Sequence, residues 1–179
     1  MNAQLKVLEP VAGLSREVGL MVAGLEIVRA QTNDLLSDLT AHELAVRFAP
    51  NANQIGGLAL HLAECEFWWI EAGFAKKEIS DEDRRFAHLY DTTETDFALK
   101  RYQAEDCIDV LAKVHSRTVQ TLTECTDDDL DAVFVNDLHP SGFRGSLRWI
   151  LNRLIDHEAN HKGQIAMMKR MIREGKDNG

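Results

Sequence analysis

Apolar residues recur along this chain in alternating steps of four and three over four long segments, the spacing that lines one face of an α-helix. The first segment runs from about Leu14 to Leu39, with Leu14, Val18, Met21, Leu25, Val28, Leu35 and Leu39 on a stripe broken only at Thr32. The second follows the polar run Asn51-Ala52-Asn53, where Asn53 is suited to cap a first turn. It carries Ile55, Leu58, Leu62, Cys65 and Trp69 inward and ends near Gly73. A third, from about Glu105 to Cys125, turns Ile108, Leu111, His115, Val119 and Leu122 inward, and Asp127-Asp128-Asp129 reads as its solvated terminus. The fourth opens at Gly145-Ser146, with Ser146 as cap, and continues to Glu174-Gly175, a rod of about 43 Å at the usual helical rise.

No segment alternates convincingly enough to read as a strand. Residues 133–144 are too short for a sheet and read as a structured crossing loop, and the polar residues 78–104 read as loop or short helices between the second and third helices. The expectation is an all-α four-helix bundle forming a single domain over residues 1–179. Composition agrees with it: only 3 Pro and 11 Gly interrupt 179 residues, 45% of them hydrophobic.

Charge and cysteine usage narrow the function. The net charge is −9, and Lys and Arg gather only in short pairs such as Lys76-Lys77 and Arg84-Arg85, which argues against a nucleic-acid partner. No apolar run reaches the ~20 residues of a membrane span, and the opening MNAQLKVLEPVAG has no basic-then-apolar signal pattern, so the expected address is the cytoplasm. Cys65, Cys107 and Cys125 form no CxxC pair and read as reduced thiols.

The fourth helix concentrates the chemistry. Its stripe Leu147, Leu151, Leu154, Glu158, His161, Ile165, Met168 and Ile172 contains two ionisable residues, with His157 beside them. Such groups are costly in an apolar seam unless something pairs with them. His157 and His161 stand four apart, so both imidazoles share one helix face about 6 Å apart along the axis. Two ligands are too few for a stable metal site. His61, flanked by Leu58 and Leu62 on the second helix, is the candidate third. Against this stands the hydrogen-bonded core histidine, an ordinary use of the same residue.

Other residues carry two readings each. Glu158 is either an orienting partner or general base at a metal site, or a charge paired with a basic neighbour. Cys65, one turn after His61, is either a thiolate ligand or a small buried hydrophobe. His115 reads as a core histidine before a ligand. Phe67-Trp68-Trp69 reads as bundle core plus a solvent- or interface-facing ring, with pocket lining or a dimer contact as the alternative, while His42, His88 and His139 read as surface residues.

The stretch Asp156-His157-Glu158-Ala159-Asn160-His161-Lys162-Gly163-Gln164-Ile165 resembles the final-helix signature of the DinB/YfiT-like family, and Gly57-Leu58-Ala59-Leu60-His61-Leu62-Ala63-Glu64 resembles its second-helix motif. The likeness covers most of the chain, with Lys162 where Arg is common. It implies a four-helix bundle holding one divalent metal ion, zinc or nickel, through His61, His157 and His161. It also implies, for several members, transfer chemistry on a low-molecular-weight thiol such as bacillithiol, mycothiol or glutathione. A small-molecule substrate and a homodimer follow as expectations. A non-catalytic metal-binding stress protein and a metal-dependent hydrolase are the alternatives.

Overall fold

The computed structural model describes residues 6–49, 52–83, 101–136, 139 and 142–177. Among these residues four long helices form the bundle, α1 (Arg16–Leu36), α3 (Ile55–Phe67), α4 (Ala104–Leu122) and α5 (Leu147–Asp177), with a short helix α2 (Ala41–Leu44) between the first two. The all-α expectation holds for the bundle. The short helices expected within residues 78–104 fall largely on residues outside those described, and the short helix that is described precedes α3 instead. It is stabilised by a capping box in which Thr40 and Glu43 satisfy each other's backbone N–H.

The stripe on α1 is turned from the expected one. Buried positions are Val18, Val22, Leu25, Arg29, Thr32 and Leu36, while Met21 and Val28 lie at its edge. The periodic reading favoured apolar positions and stepped around Arg29, which is 6% exposed. On α4, Leu111 and Leu122 are buried as expected. Cys107, Val114 and Thr118 complete its inner face, leaving Ile108, His115 and Val119 half-buried.

Helix termini differ in detail. Gln54, not Asn53, is the residue before α3, and its Nε2 donates to Ala45 O at 3.1 Å. Ser146 caps α5 as expected, accepting from Trp149 N at 3.3 Å. Ser15 gives α1 no side-chain cap. Asp127 Oδ1 does so from afar, accepting from Glu17 N at 2.8 Å and Val18 N at 3.2 Å. The acidic run is therefore a 3-10 turn (Asp127–Leu130) that stabilises another helix, not merely a solvated end.

The crossing loop is a second correction. Residues 133–144 contain most of a β-hairpin, β1 (Val133–Asn136) pairing antiparallel with β2 (Phe143–Ser146), from Val133 opposite Ser146 to Asn136 opposite Phe143. Strands this short hold because their aromatic side chains anchor elsewhere. Phe134 packs edge-on to Phe74 at 5.2 Å, and Phe143 packs edge-on to Trp69 at 5.0 Å. Their receptor is a π-helical turn, Trp68–Phe74, that extends α3 past the expected stop at Gly73. Ala75 N bonds Ile70 O at 2.9 Å, five residues back.

Among the described residues two apolar clusters fill the interior. One gathers Leu36, Leu58, Leu62, Phe67, Leu111 and Ile165, and the other Val18, Leu25, Ile70, Leu122, Leu130, Leu147 and Leu151. Each fully buried Leu or Ile contributes about 1.5–3 kcal/mol. Between the clusters lies a polar layer drawn from α1, α3 and α5: Arg29, Glu66 and Glu158. This layer sits directly behind the residues singled out as candidate ligands.

Candidate metal centre

α3 and α5 bring their histidines to one place. The ring centroids of His61 and His157 are 5.1 Å apart, those of His61 and His161 5.3 Å, and those of His157 and His161 4.4 Å. All three rings are half-buried at the helix boundary, so they are withdrawn from bulk water without being sealed from it. Buried Leu60 and Leu62 hold the α3 backbone on either side of His61, and Leu154 and Glu158 do the same around His157.

The outer ring nitrogens are tethered. His161 Nδ1–H donates to Gln164 Oε1 at 2.9 Å, and His61 Nδ1 lies 3.3 Å from Glu64 Oε2. Each tether fixes its ring and leaves the Nε2 lone pair for another partner. His161 Nε2 then faces His157 Nε2 at 3.0 Å. Two lone pairs cannot face each other so closely, so a proton or a cation must lie between them.

Burial first, and then the neighbouring His161 and His61, push His157 down to about 4. His161 is also lowered, chiefly by burial, against the opposing hydrogen bond to Gln164. Both rings are thus neutral at neutral pH, the form in which imidazole binds metals.

Cys65 joins the cluster. Its Sγ lies 3.5 Å from His61 Nε2 and 4.0 Å from His157 Nε2, and the donor atoms of His61, Cys65 and His157 all fall within 4.8 Å of one another, a set that does not include His161. Nitrogen and sulfur converging from two helices suit zinc or nickel better than calcium or magnesium, which take oxygen ligands. The residues present therefore fit a divalent ion of that kind.

Glu158 faces away from this cluster into the polar layer. Both of its oxygens accept from Arg29, at 2.7 Å from Nε and 2.8 Å from Nη2, and it is 2% exposed. Arg29 also donates to Glu66 Oε2 at 2.8 Å and Leu111 O at 3.1 Å. Glu66 Oε1 in turn meets His115 Nδ1 at 3.0 Å, and His115 Nε2 reaches Glu26 at 3.3 Å.

Burial would raise the Glu66 carboxyl. Arg29's charge and the His115 hydrogen bond outweigh it and hold Glu66 at about 2. His115 is raised despite its burial, mainly by the bond to Glu66. It belongs to this network and stands apart from the histidine cluster.

Periodicity missed Arg29 and Glu66. The available signal was that Arg29, Glu66 and Glu158, of opposite charge, all fall on buried stripes of three different helices.

The remaining candidates are dispersed. Cys107 is buried and Cys125 half-buried, and all three cysteines are unpaired. His42 is exposed, as expected, and His88 lies outside the described residues. His139 is not a plain surface residue: it packs against Trp69 at 5.6 Å and Phe143 at 6.1 Å. Trp69 completes an aromatic wall with Phe143 and Trp149, one turn beyond Cys65. Among the described residues no helix is long and apolar enough to cross a membrane.

A sequence profile of the mycothiol-S-transferase family matches residues 20–175. The chain belongs to that family. The DinB-like resemblance is supported at the level of fold too. A DinB-like protein from Bacillus cereus superposes with a TM-score of 0.62 at 22% identity, covering 93% of this chain and 95% of that one. A DinB-like protein from Bacillus subtilis gives 0.57 at 18%, covering 85% and 90%. A conserved protein from Enterococcus faecalis gives 0.57 at 19%, covering 87% and 96%. No curated protein matches the chain.

Proposed function

We propose that this chain is a metal-dependent S-transferase that joins a low-molecular-weight thiol to a small electrophile, using one divalent ion, zinc or nickel, held by His61, His157 and His161. The observation that carries the reading is the convergence of three half-buried imidazoles from α3 and α5, with the Nε2 atoms of His157 and His161 3.0 Å apart. Membership of the mycothiol-S-transferase family supports the thiol as substrate. When bound, such an ion supplies positive charge that favours the deprotonated form of a coordinated thiol at neutral pH.

The chain's own residues do the positioning. Gln164 orients the His161 ring and Glu64 the His61 ring. Arg29 locks Glu158 and with it the α5 backbone next to His157, which makes Glu158 a positioning residue in this reading. Arg153 stands near Cys65 and His157 but is paired with Asp156 at 2.7 Å, and burial, followed by Glu64, pushes the Cys65 thiol up to about 12. The wall of Trp69, Phe143 and Trp149 offers an apolar face to the electrophile.

Elemental analysis of untagged protein followed by a panel of mycothiol, bacillithiol, glutathione and coenzyme A tests the proposal. The expected result is about one ion per chain and metal-dependent conjugation with at least one thiol. Metal binding with no conjugation of any electrophile would move the reading to a non-catalytic metal-binding bundle. We also carry forward the cytoplasmic address and the homodimer; light scattering that returns the mass of one chain over a wide concentration range would exclude the dimer.

A further inference from the structure

Cys65 Sγ reaches His157 Nε2 at 4.0 Å, and the His61 ring lies 5.1 Å from the ring of His157 and 5.3 Å from that of His161, so both residues of α3 meet the histidine pair of α5. Donors around a tetrahedral zinc-type ion lie about 2.1 Å from it if nitrogen and about 2.3 Å if sulfur. Neighbouring donors are then roughly 3.4 Å apart for two nitrogens and roughly 3.6 Å for nitrogen and sulfur. The separations here straddle those values: 3.0 Å between the two Nε2 atoms of α5, and 3.5 Å and 4.0 Å from Cys65 Sγ to His61 and His157. Cys65 is half-buried at this boundary, whereas Cys107 packs inside an apolar cluster.

We propose that Cys65 is a fourth, displaceable ligand whose sulfur holds the metal position that a small-molecule thiol takes over during the reaction. This rests on the three-histidine reading above. In the exchange one sulfur replaces another, and the proton of the entering thiol ends on Cys65, so the charge of the site does not change. A position guarded by sulfur is lost readily to another sulfur and poorly to water or a hydroxyl. The guard would thus select thiols over other nucleophiles.

The test uses the full chain loaded with cobalt(II) and read by absorption. Native protein should show a sulfur-to-cobalt charge-transfer band that persists in Cys107→Ser and Cys125→Ser and disappears in Cys65→Ser. Glutathione added to cobalt-loaded Cys65→Ser should restore it. With zinc bound, iodoacetamide should label Cys65 roughly tenfold more slowly than in the metal-free chain, and glutathione should remove that protection. Circular dichroism checks the fold of each variant, and Cys65→Ala repeats the measurement without a hydroxyl.

One cobalt per chain with no sulfur band, or a band that survives Cys65→Ser, would overturn the proposal and leave the three-histidine site standing. A band that glutathione cannot restore would overturn displacement. A chain that binds no cobalt overturns both this proposal and the function from which it starts.

Discussion

Arg29 holds Glu158 in a two-pronged grip, Nε to Oε1 at 2.7 Å and Nη2 to Oε2 at 2.8 Å, directly behind the histidine pair of α5. A buried pair of this kind adds little net stability against well-packed apolar residues, and Arg29 keeps Glu66 as a partner when Glu158 is removed. Glu158→Ala takes away two charged hydrogen bonds and should lower the unfolding free energy by about 1.5–3 kcal/mol in urea titrations. Glu158→Gln should cost less and still bind one ion at saturating metal. A Glu158→Gln protein of native stability and metal content with turnover abolished would instead make Glu158 the general base.

Metal removal should be felt in the fold. Three imidazoles that join α3 to α5 through one ion couple binding to stability, so chelation should lower the melting temperature of the native chain. His157→Ala combined with His161→Ala should lose the ion and no longer respond to chelator. Calorimetry with and without a chelator reads both. Full metal content in the double variant would remove these residues from the site.

Acid should weaken the far side of α4. Asp83 accepts from Arg117 at 2.6 Å and from Ser80, and these bonds, led by Arg117's, hold its carboxyl at about 2. A carboxyl lowered in the folded state stabilises above its unfolded value of about 3.9, and that contribution drains away as pH falls toward the folded value. Stability should thus decline between about pH 4 and pH 2. Arg117→Ala should start lower and lose less over the same interval. Equal acid slopes for the two proteins in urea titrations would exclude the pair as a source of the pH dependence.

Gly73 in the π-helical turn has no room for a methyl group. A Cβ there would run into the Asn136 side chain and come within 3.0 Å of Trp68 O. Asn136 is buried at the end of β1, so it cannot swing into solvent without cost. Gly73→Ala should destabilise by about 1–3 kcal/mol, seen as a lower melting temperature, whereas Gly163→Ala, with open space around it, should not.

The bundle and its histidines could be read from the sequence because both obey the helical period. His157 and His161 mark themselves by their four-residue spacing, and His61 by its apolar neighbours. What periodicity hides is polarity inside the seam. Val22 and Arg29 lie inside where Met21 and Val28 were expected, since a search for apolar positions steps past a buried arginine. The hairpin escaped for another reason. Its strands are held by Phe74 and Trp69, far away in sequence, and four-residue runs carry too little signal to compete.

Asp127 lies 110 residues beyond the α1 backbone N–H of Glu17 that it caps. No local side chain caps the start of α1, so its first N–H groups depend on the turn after α4 reaching them. During folding the first turn of α1 should fray until that late, long-loop contact is made, and the contact bears a chain-closure entropy that a neighbouring Ser or Asp would avoid. The first helix of the bundle is in this way among the last to be secured.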